Sequence, residues 1–437
     1  MKKLFLCAAV LISFVYSGVC FAEENESKIK KEVVVYFDST KLGNKDSDHL
    51  GEVAGLPWRY ASYINHAGWE IRPADGTTEN SFERRNSGLG ARTEFEIVSS
   101  SPKTDFEDTA GSKYETGLAR NHFTEYEYVS KRYPDVKILL SIGGWKRSGY
   151  FSEMAYTEEG RESCIKSIVE ILKTYTWLSG VDIDWEYPGA SLDGERKPFG
   201  DNQGCPIFGT VQEDKNNFAL FLKELRDAME NEFGTGEKKL TACASSSATK
   251  VLPCQDWASA CDFLDLINVM TYEMVTPESG RTGHSSGLSE IKQTVRYLEK
   301  RGIPKNKICI GTQIYGVAFK MKKVPKTDFI GTECDLESPE PYGVGRNSII
   351  DFENNLANTS KTGWHKIYDS TLGGAFLYND SMSSKYSKWF ISYESDESLN
   401  AKLDYILANE LGGIAVWEST FDEREHKVFR LMSKTFR

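Results

Sequence analysis

A chain of 437 residues, 40% hydrophobic and 27% charged, with no repeat or long low-complexity tract, has the composition of a globular protein and excludes wholesale disorder. It is too long for one small domain, but it fits a single large α/β barrel carrying insertions. The net charge of −11 argues against nucleic acid or an anionic membrane surface as partner and suits a neutral or cationic substrate.

At the N-terminus, Lys2 and Lys3 precede an apolar run from Leu4 to about Val19, with Ala22 at a cleavage point. Residues 1–22 therefore read as an export signal, and the chain, starting near Glu23, is expected to be secreted. Ser13, Ser17 and Gly18 dilute the run, which falls short of a bilayer span, so no membrane association is expected. Val19 before Cys20 fits a lipoprotein signal poorly. Past the signal stand Cys164, Cys205, Cys243, Cys254, Cys261, Cys309 and Cys334, an odd number that leaves at least one thiol unpaired within the chain. Cys254 and Cys261 are a candidate disulfide by proximity. The six histidines are scattered and no CxxC occurs, so neither metal nor cofactor is expected.

Short β-rich runs then alternate with amphipathic helical patterns, the signature of parallel βα units. Eight strands are expected: Val33 to Phe37, Ser62 to Trp69, Lys137 to Ile142, Gly180 to Glu186, Leu240 to Ser245, Leu264 to Met270, Lys307 to Tyr315 and Gly413 to Trp417. Ile165, Ile168, Val169 and Leu172 form a helical stripe, as do Phe218, Phe221, Leu222 and Leu225 after Asp214, a candidate cap. A helix around Ile291, Val295 and Leu298 should stop at Gly302, and one around Leu399, Leu403 and Ile406 at Gly412. These stripes are read as core packing. Long loops are expected around Ala74 to Ser112 and Gly189 to Glu213, and from about Val317 to Ser395 the pattern breaks into segments rich in Tyr, Ser, Asn and Gly. The expected architecture is a (β/α)8 TIM barrel in two parts, 23–316 and 396–437, with a small insertion at 317–395 between strands seven and eight.

The chemistry concentrates in Ser179 to Pro188, SGVDIDWEYP. Strand alternation sends Asp182, Asp184 and Glu186 to one face, where a parallel barrel strand ordinarily carries an apolar run. Three carboxylates spaced about 6 to 7 Å apart are costly to bury unless they share protons and hydrogen bonds, so a merely structural role is disfavoured. Their titration is coupled, and Glu186, nearest the open end of the strand, is placed to meet substrate still protonated, as a general acid.

This segment resembles the catalytic strand of family 18 glycoside hydrolases, D-x-x-D-x-D-x-E, with Asp182, Asp184 and Glu186 matching the last three acids and Ser179 departing at the first. Lys137 to Trp145 (KILLSIGGW) resembles the family's S-x-G-G-W motif, Asn268 to Tyr272 (NVMTY) its M-x-Y motif, and Gly412 to Trp417 its last strand. The segment 317–395 is similar to the α+β module of chitinases of this family through Trp364, Tyr368 to Ser370, Leu377 to Asn379 and Lys388 to Tyr393.

The resemblance implies a chitinase acting on chitin or chito-oligosaccharides by a retaining mechanism in which the substrate's own acetamido group is the nucleophile. Glu186 would be acid and then base, Asp184 would orient the acetamido group, and Asp182 would share a proton with Asp184, held by Tyr36 and Ser141. Tyr272 would bond the acetamido oxygen, Met270 would pack beneath, and Trp417 would be the stacking floor. Trp145, Tyr187, Glu273 and Tyr315 complete the expected sugar-binding set, with packing as the bland alternative for each aromatic ring. Glu273, Val317 and Gly68 stand where the family commonly has Asp, Arg and Phe. We expect a monomer. The competing readings are a non-catalytic chitin-binding lectin and an endo-β-N-acetylglucosaminidase acting on N-glycans.

Overall fold

The computed structural model describes residues 31–40, 53–77, 79, 81–107, 121–190, 205–337, 363–422 and 425–436. Eight parallel strands close into a barrel: β1 (Glu32–Asp38), β2 (Tyr63–Pro73), β4 (Lys137–Gly143), β5 (Gly180–Asp184), β6 (Lys239–Ser245), β7 (Leu266–Met270), β8 (Ile308–Gln313) and β13 (Gly413–Trp417), with β1 paired to both β2 and β13. These are the eight expected strands. One boundary lies farther out: β2 runs on to Pro73 because β3 (Phe95–Ser99) pairs antiparallel with its end, Trp69 against Ser99 through Pro73 against Phe95. Another lies farther in: β5 ends at Asp184, opposite Gly143, so Glu186 stands beyond the ladder at the barrel mouth.

Alternation along these strands builds two cores. Val33, Val35, Ile138, Leu140, Val181 and Ile183 point outward into one apolar cluster with the surrounding helices. Inward, Val34, Tyr63, Leu139, Leu266 and Cys309 pack with Tyr36 and Cys243, so the barrel is filled rather than a pore. The helix Glu158–Thr174 buries Ile165, Ile168 and Leu172 with Thr157 as its cap, while Val169 is half-buried at the stripe's edge. The helix Val211–Phe233 buries the expected Phe218, Phe221, Leu222 and Leu225, but its cap is Thr210, closed by a reciprocal bond with Glu213. Asp214 is already inside that helix, and its buried carboxylate accepts from Ser152 Oγ at 2.5 Å and Gly189 N at 3.1 Å. The remaining stripes form the helices Leu288–Glu299 and Asp396–Ala408.

Between β8 and β13 lies a second, antiparallel sheet of β9 (Val317–Lys320), β10 (Trp364–Asp369), β11 (Gly374–Asn379) and β12 (Trp389–Tyr393), in the order β10-β11-β12-β9. One face buries Trp364, Leu377, Trp389 and Ile391. The other buries Phe319, Phe376 and Phe390 and reaches Trp417 and Phe421 at the barrel mouth. The described part of this segment is thus all β, and residues 338–362 lie outside the described residues, as do residues 1–22, read above as an export signal, and residues 191–204.

Cys254 and Cys261 are not bonded to each other: each sits in its own helical turn and donates to a carbonyl there, Lys250 O and Ala258 O respectively. Among the described residues no helix is long and apolar enough to cross a membrane.

Candidate active site

Inside the barrel the three acids of β5 and its exit are buried, Asp182 fully and Asp184 and Glu186 each 8% exposed. The turn after β4 holds that exit in place: Gly144 N donates to Asp184 O at 2.7 Å and Glu186 N to Ser148 Oγ at 2.9 Å. Gly143 is required there, since its φ is +113° and a Cβ would stand 2.1 Å from Asp184 O. At the strand's other end, Ser179 Oγ accepts from Ile138 N at 3.2 Å.

Asp182 is saturated. Its Oδ2 accepts from Tyr36 Oη at 3.0 Å, Ser141 Oγ at 2.8 Å and Cys243 Sγ at 3.7 Å, and its Oδ1 from Thr241 Oγ1 at 2.5 Å and Asn268 Nδ2 at 3.3 Å. Tyr36 and Ser141 therefore hold it as expected. The five hydrogen bonds of Asp182 come from these other donors and none from Asp184. Thr241, Cys243 and Asn268 are not among the expected site residues, although Thr241, Cys243 and Ser245 alternate on one face of β6 just as the acids do on β5.

Asp184 contrasts with it: Oδ1 is buried and has no hydrogen-bond partner. Burial, then the charges of Glu186 and Asp182, push its pKa well above the usual carboxylate range. Burial also pushes Glu186 up to about 7, aided by the charge of Glu273 and opposed by hydrogen bonds from Tyr187 and the Trp145 backbone. Two carboxyls so coupled do not ionise in the same pH window, so a proton stays within the pair near neutrality.

The other expected residues gather around this pair. Tyr187 bonds Glu186 and Ser245, and its ring lies 6.3 Å from that of Trp145. Tyr272 follows β7 close enough for Asp184 and Glu186 to raise its pKa, though burial is the larger cause. Met270 and Trp417 are half-buried against the interior cluster, with the Trp417 ring 5.9 Å from that of Tyr36. Tyr315 Oη donates to Glu273 Oε1 at 2.5 Å, and Glu273 adopts a left-handed φ of 49°. Val317 lies in β9 opposite Ser392, and Gly68 sits at a bulge with φ +120°, where a Cβ would stand 2.0 Å from Ser39 Oγ. A phenylalanine at 68 would not fit this backbone.

Elsewhere the fold does gather two of the scattered histidines. His66 Nε2 and His122 Nδ1 meet Asp105 Oδ1 at 3.0 and 2.8 Å, these three side chains being buried behind β2, and the half-buried Ser99 Oγ donates to Oδ2 at 2.5 Å. Such a set could ligate a metal ion, but two ring N–H donors and a hydroxyl already satisfy the carboxylate. Burial opposes ionisation of Asp105, and the two histidines and Ser99 outweigh it, holding the carboxyl well below its usual range.

The profile of the glycosyl hydrolases of family 18 matches residues 32–422. The chain belongs to that family. Relatives include Chitinase A1 of Niallia circulans, 27% identical over 348 residues (75% of this chain, 47% of the relative), and Chitinase A of Pseudoalteromonas piscicida, 25% identical over 411 residues (83% and 48%). The chain thus spans about half the length of these relatives. Among solved structures, a chitinase from Bacillus thuringiensis superposes with a TM-score of 0.71 at 22% identity, covering 93% of this chain and 70% of that one, which supports the barrel fold.

Proposed function

We propose that this protein is a chitinase that cleaves β-1,4 bonds between N-acetylglucosamine units with retention, using the substrate's 2-acetamido oxygen as nucleophile. The observation that carries this reading is the buried, unpartnered Oδ1 of Asp184 beside a Glu186 whose pKa is raised to about 7. An acetamido N–H supplies the hydrogen bond that Asp184 lacks and favours its anionic form, which leaves the pair's shared proton on Glu186 for the glycosidic oxygen. Glu186 gives that proton to the leaving sugar as the acetamido oxygen closes on the anomeric carbon. The resulting oxazolinium ion is positively charged and is stabilised by the fixed anion of Asp184. Water then attacks the anomeric carbon, its proton passes to Glu186, and the ring opens with the original configuration. In this reading Tyr272 bonds the acetamido oxygen, Met270 packs beneath, and Trp417 is the floor on which the sugar stacks. Trp145, Tyr187, Glu273 and Tyr315 complete the sugar-binding set, and the sheet of 317–395 walls the cleft.

The names of the relatives support chitin or chito-oligosaccharides as substrate. The charged and apolar pattern of residues 1–22 supports export. Chitotriose carrying a fluorescent leaving group tests the reading. Release of the fluorophore is expected; binding without cleavage would identify a lectin, and cleavage of N-glycans instead would identify an endo-β-N-acetylglucosaminidase.

A further inference from the structure

Asp182 and Asp184 are neighbours on one strand, yet they are not joined directly. The β5–β6 register sets Asp182 beside Thr241 and Ile183 beside Ala242, which brings the next residue of β6, Cys243, level with Asp184. Its thiol also stands 3.1 Å from Tyr36 Oη and 3.7 Å from Asp182 Oδ2. Cys243 thus faces both inner acids from β6. We infer that Cys243 is a positioning residue whose single S–H is the movable link between the saturated Asp182 network and the under-served Asp184, an inference that rests on the hydrolytic reading above.

The hydrogen-bond inventory decides which way that link turns. Tyr36 gives its own hydrogen to Asp182 and receives one from Asn268 Nδ2 at 2.9 Å, so its oxygen does not depend on the thiol. Asp182 has four other donors. While Asp184 is protonated, the S–H rests on the Tyr36 and Asp182 side; as Asp184 takes charge, rotation about the Cβ–Sγ bond turns it to the new anion. The thiol is fit for this because burial, then the charges of Asp182 and Asp184, raise its pKa well above the ordinary thiol value and keep it a donor. It opposes the burial that raises Asp184. The titratable groups facing Asp184 from its other neighbours are Tyr36 on β1, Arg147 after β4, Asp182, Glu186 and Tyr187 on and after β5, and Tyr272 after β7. Removing one weak neutral donor leaves all of these in place.

The test is the pH profile of kcat/KM on the fluorogenic chitotrioside for wild type, Cys243→Ala and Cys243→Ser. Loss of the donor raises the Asp184 pKa, so the acid limb of the alanine variant should move up by roughly half a pH unit, about a threefold loss on that limb, with KM near wild type. Serine restores a donor and should bring the limb back. Equal shifts in both variants, or none in either, would overturn the inference. A second arm needs no turnover: the infrared S–H stretch of Cys243, identified by its loss in Cys243→Ser, should move in Asp184→Asn, and an unmoved band would overturn the inference as well. If wild type cleaves nothing, the hydrolytic reading is what fails, and the infrared arm still decides the role of the thiol.

Discussion

Two aspartates are buried on opposite sides of this barrel wall with opposite outcomes. Asp105, behind β2, has both oxygens served by His66, His122 and Ser99, and its pKa is held down. Asp184, inside the barrel, has an oxygen with no partner beside two more carboxyls, and its pKa is driven up. Burial is common to both, so burial does not distinguish a structural acid from a chemical one. The difference lies in which donors the fold supplies: the first is completed by the protein, the second is left for a ligand to complete.

The sharpest way to break this contrast is to remove the proton at the mouth. Glu186→Gln should lower kcat/KM for chito-oligosaccharides by at least about 10³-fold while oligosaccharide binding, followed by calorimetry, stays measurable. Asp184→Asn should cost roughly 10²-fold in kcat, since the amide neither carries the anion nor accepts the acetamido N–H as well. Asp105→Asn should behave in the opposite sense, losing about 3 kcal/mol in urea unfolding as the histidines lose a charged partner, with kcat/KM per folded molecule kept within a few-fold. A large loss of turnover without loss of stability there would erase the distinction between the two sites.

The pH dependence of stability gives a smaller effect with a definite sign. Glu186 rises from 4.5 to about 7 in the folded chain. A group raised in this way binds more protons folded than unfolded, so its stabilising contribution is full below the unfolded value and is lost as pH climbs through about 7. Glu186→Gln should therefore be more stable than wild type at pH 8, by on the order of 2 kcal/mol, and lose that advantage at pH 4, as read by unfolding at the two pH values. The smallest effect is expected at Cys309→Ser, deep among the apolar side chains of the barrel interior, where kcat/KM should stay within about twofold.

Most of the barrel and the heart of the site are legible in the amino-acid order. Parallel barrel strands covered on both faces read as apolar runs, so Val33 to Phe37 and Gly413 to Trp417 stand out, and three acids alternating through Asp182, Asp184 and Glu186 stand out against them. What is not legible depends on contacts far along the chain. The extension of β2 to Pro73 needs β3, and the convergence of His66, Asp105 and His122 needs the helices Pro102–Phe106 and His122–Ser130 folded behind β2. Nearness in sequence misleads at Cys254 and Cys261, and Asp214 passes for a cap because Thr210, four residues earlier, carries no apolar pattern of its own. Thr241, Cys243 and Asn268 are within reach of the same reasoning, since the alternation that exposes the acids applies equally to β6 and β7.

General-acid catalysis by Glu186 is tested most directly by leaving-group dependence. kcat/KM for wild type and Glu186→Gln should be compared on two chitobiosides, one losing N-acetylglucosamine and one losing dinitrophenolate, which departs without a proton. The sugar substrate should suffer the full loss of at least about 10³-fold and the dinitrophenyl substrate no more than about tenfold. Equal losses on both would mean that Glu186 does not protonate the departing oxygen.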